Sequence, residues 1–218
     1  GEGKSPVQAY MDIEEVIRIA KHSNVDCIHP GYGFLSENPD FAEAVLKNNI
    51  QFVGPTPNVM RMLGNKINAR SIANDAGVKV MPASECLPEE EKEIIKIAQK
   101  IGYPLMLKAS WGGGGRGMRV IENESKLIES INSGKREAKN AFGSDEVYLE
   151  KLVRKAKHVE VQVLGDIYGN IVHLYERDCS MQRRNQKVVE RAPANYLSKE
   201  QREVLCNSAI SLVKKVNY

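Results

Sequence analysis

Apolar residues recur along this chain in two periods that alternate with each other. Ile13, Val16, Ile17 and Ala20 mark one face of a helix, with Asp12 as its N-cap and Glu15 at the third helical position. A short apolar run, Val25–His29, reads as a buried strand, and Pro30 to Asn38 as a loop. Asn38 and Pro39 open a second helix whose apolar positions are Phe41, Ala44 and Val45. Gln51–Gly54 is a second short strand. Helix, strand, helix, strand is the rhythm of a parallel α/β sheet, and ligands of such sheets sit beyond the carboxyl ends of the strands. His29 and Glu37 flank a loop at such an end; a satisfied turn histidine and a solvated glutamate are the plain alternatives.

Thr56 and Pro57 start the next helix by the same cap logic. Gly64-Asn-Lys66 interrupts it, Ile67 to Ala76 resumes it, and Gly77 closes it. Val78–Pro82 is a possible boundary. Pro88 and the acids after it open a helix that runs to Ile101 and stops at Gly102. Another helix spans about Ser125 to Ala141, and Val147–Val153 is a strand. His158–Leu164 alternates at period two, Gly165–Gly169 turns the chain, and Asn170–Glu176 returns, which predicts an antiparallel hairpin. The polar, cationic stretch Arg177–Lys187 is expected to leave the sheet. Ser198 and Gln201 form a capping box for a last helix carrying Val204, Leu205, Ala209, Leu212 and Val213.

One stretch stands apart. Pro104 to Leu107 is apolar and leads to Lys108; Gly112 to Gly115, Arg116 and Gly117 follow; Met118 to Ile121 is apolar again. Strand, glycine loop, strand brings backbone N–H groups close to a ligand. With Lys108 at its base and Arg116 inside it, a polyanion is the natural guest. No Gly-Lys-Ser/Thr opens a helix here, so the pattern is neither the Walker loop nor the dinucleotide fingerprint. A mobile linker is the plain alternative. Lys66 adds a cation near a helix start, where positive charge does not help the helix dipole. Arg183, Arg184 and Lys187 together could hold phosphate or carboxylate, or form a solvated basic loop.

Composition narrows the field. The 218 residues suit one large domain or two small ones, and a formal charge of +3 does not argue for nucleic acid or an acidic membrane surface. Cys27, Cys86, Cys179 and Cys206 lie far apart without a CxxC pair, so neither zinc nor a disulfide framework is signalled, and a reducing cytoplasm fits. No apolar run is long enough to span a bilayer.

His29–Asn38, Gly64–Lys66, Lys108 with Gly112–Gly117, Glu150-Lys151, His158–Gln162 and Glu176–Glu190 occur in that order. With these motifs the chain resembles, over nearly its whole length, the biotin carboxylase component of biotin-dependent carboxylases, an ATP-grasp fold. The fold class expected is therefore α/β with α+β lobes. Residues 1–56 would end a parallel α/β N-terminal domain and 57–77 connect. Residues 78–153 would form a glycine-loop lid and 154–218 begin an antiparallel C-terminal domain. Lys108–Met118 and Val189–Pro193 are most similar to alphaproteobacterial members that pass the carboxyl group to pyruvate; acetyl-CoA and propionyl-CoA are the alternative acceptors.

The resemblance implies ATP-dependent carboxylation of biotin by bicarbonate through carboxyphosphate, with Mg²⁺ and with biotin carried on a separate domain. It implies that Lys66 and Lys108 meet ATP phosphates, as do the lid residues Gly114 and Gly115. Glu150, Lys151 and Val153 would hold the adenine; His158, Gln182 and Asn185 would line the nucleotide site; and Lys187 would hold bicarbonate as the catalytic cation. Many relatives have His at the position of Asn185, and an amide there can hydrogen-bond but cannot be protonated. The partners implied are the biotinyl carrier domain and a second biotin carboxylase domain in a larger oligomer, with no nucleic acid or membrane. Both ends look cut from a longer polypeptide. The metal ligands and further arginines of the family are expected beyond these residues, leaving this stretch without a metal site and inactive alone. A non-catalytic nucleotide-binding or assembly module is the reading from another class.

Overall fold

In a computed structural model the chain is described over residues 3–111, 117–183 and 186–218, and it divides into two compact units, residues 1–64 with Tyr218 and residues 65–217. The first unit opens with helices α1 (Pro6–Tyr10) and α2 (Ile13–His22) and strand β1 (Cys27–Ile28). Helix α3 (Pro39–Lys47), strand β2 (Gln51–Phe52) and helix α4 (Pro57–Gly64) follow. The caps act as the sequence predicts. The Asp12 carboxylate accepts from Glu15 N, and the Asn38 amide oxygen accepts from Asp40 N and Phe41 N, with Pro39 at the first helical position. β1 and β2 pair in parallel, Cys27 with Gln51 and Ile28 with Phe52. Ile17, Ala20, Phe41, Ala42, Val45 and Phe52 form the core beside them, and the Phe41 and Phe52 rings meet edge to face at 5.9 Å.

The second unit begins at helix α5 (Lys66–Asp75), capped by Asn65, whose side-chain oxygen accepts from Ile67 N and Asn68 N. Gly77, at φ +73°, ends it as expected. Helix α6 (Glu91–Ile101), strand β3 (Leu105–Ala109) and strand β4 (Arg119–Ile121) come next. Helix α7 (Leu127–Phe142) and strand β5 (Val147–Lys151) complete a three-stranded antiparallel sheet of order β4-β3-β5. Alternation gives this sheet two faces. Leu105, Leu107, Ala109, Val147 and Leu149 point into a core with Ile94 and Ala98 of α6 and Leu127, Ile131 and Ala138 of α7. Met106 and Lys108 alternate with those β3 residues and are only half-buried. Close packing reaches the backbone: a Cβ added at Gly134 of α7 would lie 2.4 Å from Leu107 Cδ2.

A second antiparallel sheet, β6-β7-β8, is built from Val159–Gly165, Ile171–Arg183 and Gln186–Arg191, and α8 (Lys199–Lys215) packs on β7. The predicted hairpin is β6 and the start of β7. The expectation that Arg177–Lys187 leaves the sheet is overturned: β7 continues to Arg183 and pairs with β8. The strand survives its polar composition because its charges pair across the ladder and Cys179 is fully buried. The ladder is irregular, with register shifts at Asp178/Met181 and at Val161/Val163, the latter opposite Tyr175 at φ +62°. The capping box of α8 is formed by Ser198 and Gln201. No helix among the described residues is long and apolar enough to cross a membrane.

Candidate functional site

The site residues fall into two clusters, both in the second unit. The first lies on the face of the β3–β5 pair that carries Lys108, together with the start of α5. Lys66 is the first residue of α5; its amide donates to the Ser110 carbonyl at 3.0 Å and its ammonium to the Ala109 carbonyl at 3.4 Å. The helix start is thereby fastened to the end of β3, where the sequence runs toward the glycines. Lys108, one residue before Ala109, places its ammonium on Glu150 Oε1. Met106 pairs with Glu150 and Lys108 with Tyr148, so Lys108 and Glu150 are diagonal neighbours across the ladder. Tyr148 is pushed up to about 12 by burial and then by the Glu150 charge, so it stays a neutral phenol. The Ser110 hydroxyl is buried without a partner among the described residues, and the Trp111 indole donates to Glu146 at 2.9 Å.

Glu150 and Lys151 end β5, and Val153 follows, half-exposed. The Lys151 amide donates to the Pro82 carbonyl at 2.8 Å, and its ammonium ties the carbonyls of Gly102 and Tyr103 at 2.8 and 2.7 Å. The side chain of Lys151 therefore fixes the turn before β3, and what it can offer a base is backbone. One residue near these was missed from sequence. Arg70 of α5 donates from Nη1 to Glu150 Oε2 at 3.2 Å and from Nη2 to the Met81 carbonyl. Its signal was its place four residues after Lys66, on the same face of a helix.

The second cluster stands on the β6-β7-β8 sheet. His158 precedes β6; its ring Nδ1 lies 2.9 Å from Gln182 Nε2, so the two predicted residues meet. Lys187, on β8, rests on Glu160 Oε2, and Arg177 holds Glu160 Oε1. Burial pushes the Glu160 carboxyl up, but the hydrogen bonds from Lys187 and Arg177 outweigh it and hold the group below its usual range. The Glu160 hydrogen bond in turn raises Lys187, which keeps its ammonium charged. The Cys179 thiol is pushed up, first by burial and then by Glu160, so it stays protonated. Gly114, Gly115 and Asn185 lie outside the described residues.

Glu160, Cys179 and Glu190 place ligand atoms within 4.8 Å of one another. The set does not fit Mg²⁺, which takes oxygen ligands in an octahedron. One member is a thiol, Glu160 is engaged by Lys187 and Arg177, and Glu190 accepts from Arg177 at 3.0 Å. The first cluster brings two lysines to one strand, Lys66 with its ammonium on the Ala109 carbonyl and Lys108 with its ammonium on Glu150.

The chain is similar to known proteins in sequence and in fold. Residues 65–218 match the family of the carbamoyl-phosphate synthase L chain, ATP binding domain, and residues 2–60 match the biotin carboxylase N-terminal domain. The chain is 53% identical over 218 residues to pyruvate carboxylase of Bacillus subtilis, covering all of this chain and 19% of that protein. The structure of Rhizobium etli pyruvate carboxylase with acetyl coenzyme A is similar at a TM-score of 0.89 and 58% identity, over 98% of this chain and 19% of that one. The biotin carboxylase domain dimer of Hydrogenobacter thermophilus 2-oxoglutarate carboxylase, solved with MgADP, ADP and bicarbonate, matches at 0.91 and 43%, over 99% and 48%. The chain thus spans about a fifth of the length of the curated relatives it matches.

Proposed function

The chain belongs to the biotin carboxylase family, with an ATP-grasp domain of the carbamoyl-phosphate synthase L chain type, and on that premise we propose that it carries the ATP-dependent carboxylation of biotin by bicarbonate. The observation that supports this most is the convergence of Lys66 and Lys108 on the end of β3, ahead of the glycines. Lys66, and Lys108 once it leaves Glu150, would neutralise charge on the phosphates there, which is the largest demand of phosphoryl transfer. Gly114 and Gly115 complete the phosphate contacts. The backbone at Glu150, Lys151 and Val153 holds the adenine, and His158, Gln182 and Asn185 line the nucleotide site. Lys187 receives bicarbonate; its charge is secured by Glu160, which must share it with the incoming anion. Bound Mg²⁺ would spread the negative charge of the phosphates; no residue described here is assigned to it.

For the acceptor we propose pyruvate, giving oxaloacetate, on the strength of the pyruvate carboxylases among the relatives. A 2-oxoglutarate carboxylase domain is nearly as similar, so the domain itself does not select the acceptor, and acetyl-CoA or propionyl-CoA is the alternative. A biotinyl carrier domain and a second biotin carboxylase domain are the proposed partners. A cytoplasmic location fits four free thiols, two of them exposed. The 218 residues cover about half of a solved biotin carboxylase domain, and alone they are proposed to be inactive.

The test is bicarbonate-dependent ATP cleavage with free biotin, in the intact polypeptide and in the 218 residues alone. The intact protein should turn over, Lys187→Ala should lose roughly a hundredfold or more, and the 218 residues should be silent. An intact protein without bicarbonate-dependent turnover would leave a nucleotide-binding assembly module as the better account.

A further inference from the structure

We infer that Arg70 is a positioning residue of the nucleotide site, holding Glu150 so that Lys108 can pass from that carboxylate to a bound polyphosphate. The inference rests on the nucleotide reading above. Lys108 is the residue expected to meet phosphate, yet in the described state its ammonium lies on Glu150 Oε1. Nucleotide binding therefore includes a transfer of Lys108 from one anion to another. The Glu150 side chain is only 15% exposed, and a carboxylate so placed is poorly solvated by water when its cation departs.

Arg70 removes that difficulty. It holds the other oxygen, Glu150 Oε2, at 3.2 Å, and its remaining nitrogen Nη2 is on the Met81 carbonyl. The guanidinium is thus anchored at both tips of its fork and does not follow Lys108 when that side chain moves. The three groups together carry one net positive charge. After Lys108 leaves, a neutral Arg70–Glu150 pair remains instead of a bare carboxylate facing the incoming phosphates. An ammonium in place of the guanidinium could not span Glu150 and Met81 with the same planar fork. Arg70 lies one helical turn from Lys66, so α5 sets both a phosphate cation and the counter-charge that frees the other.

A purely structural Arg70, tying α5 to the Met81 backbone, predicts something different, and a double-mutant cycle separates the two. Binding of MgADP to the intact polypeptide is measured by calorimetry, with the ATP dependence of turnover alongside. Arg70→Gln should weaken MgADP roughly tenfold, the scale of one charge-assisted hydrogen bond, and raise KM for ATP while kcat stays within roughly twofold. In a Glu150→Gln background, Lys108 has no carboxylate to leave, and Arg70→Gln should add less than roughly twofold. Arg70→Lys should fall between Arg70→Gln and the parent, and it replaces Arg70→Gln in the cycle if that variant does not fold. Effects that simply multiply between the two backgrounds overturn the inference. A parent protein that binds MgADP and loses it with Lys108→Gln, but is indifferent to Arg70→Gln, overturns it alone. A parent that binds no MgADP overturns it together with the nucleotide reading.

Discussion

The two antiparallel sheets of the second unit each have three strands and are held by opposite means. In β4-β3-β5, alternate residues are removed from water: Leu105 and Leu107 are 0% exposed and Ala109 4%. In β6-β7-β8, all six residues of β8 are exposed, and the strands are laced by Glu160 with Arg177 and Lys187, Arg177 with Glu190, and Asp178 with Arg191. The first sheet positions Lys66 and Lys108 by packing its other face. The second positions Lys187 through a neighbouring charge. Exposed ion pairs contribute little individually, so the second sheet depends on its few buried points. Cys179 and Asp178 are two, and the third is Glu176, 1% exposed, which accepts from Arg202 Nε at 2.9 Å and from Ala194 N at 3.1 Å.

The sharpest way to break this contrast is Arg202→Met, which strands the buried Glu176 charge. It should destabilise by about 3–5 kcal/mol, read from denaturant unfolding; a loss below 1 kcal/mol on that scale would mean Glu176 is not an anchor of the charged sheet. Leu107→Ala tests the other side and should cost about 3 kcal/mol by the same assay, because it opens a cavity against Gly134 and α7. Acid should then separate the sheets. The Asp178 carboxyl is held down to about 2 by the Ser180 hydroxyl, the Ser180 amide and weaker partners including Arg191, against an ordinary value of 3.8. The unfolded chain takes up that proton first as pH falls. The stabilisation is therefore complete above the ordinary value and lost as pH drops through the folded one. NMR titration of Asp178 should show its midpoint move upward in Ser180→Ala. The smallest effect belongs to the exposed Arg154–Glu122 pair: Arg154→Ala should change stability by less than about 1 kcal/mol.

Legibility in the sequence follows the same division. Helices with polar caps were plain, because Asp12, Asn38 and Ser198 act within three residues of themselves. The strands β3 and β5 were plain because one face of each is apolar. The extension of β7 through Arg177–Arg183 was not, since the partners that neutralise its charges lie 13 to 17 positions away in sequence, at Glu160, Glu190 and Arg191. Lys66 and Lys187 gained their proposed roles from family resemblance, because a lysine on a helix or strand carries no mark of its ligand. Arg70 escaped for a related reason: its two acceptors, Glu150 and the Met81 carbonyl, become neighbours only in the fold.

Trp111 follows Ser110 at the end of β3 and is the only tryptophan in the 218 residues. Its indole is 41% exposed and held to Glu146 by one hydrogen bond. In optical terms the chain carries its own fluorophore three residues from Lys108. Its emission depends on how much water and which carboxylate the ring meets. Any rearrangement of this strand end, whether from an arriving polyanion or a released lysine, is written in the colour of that one side chain without an added label.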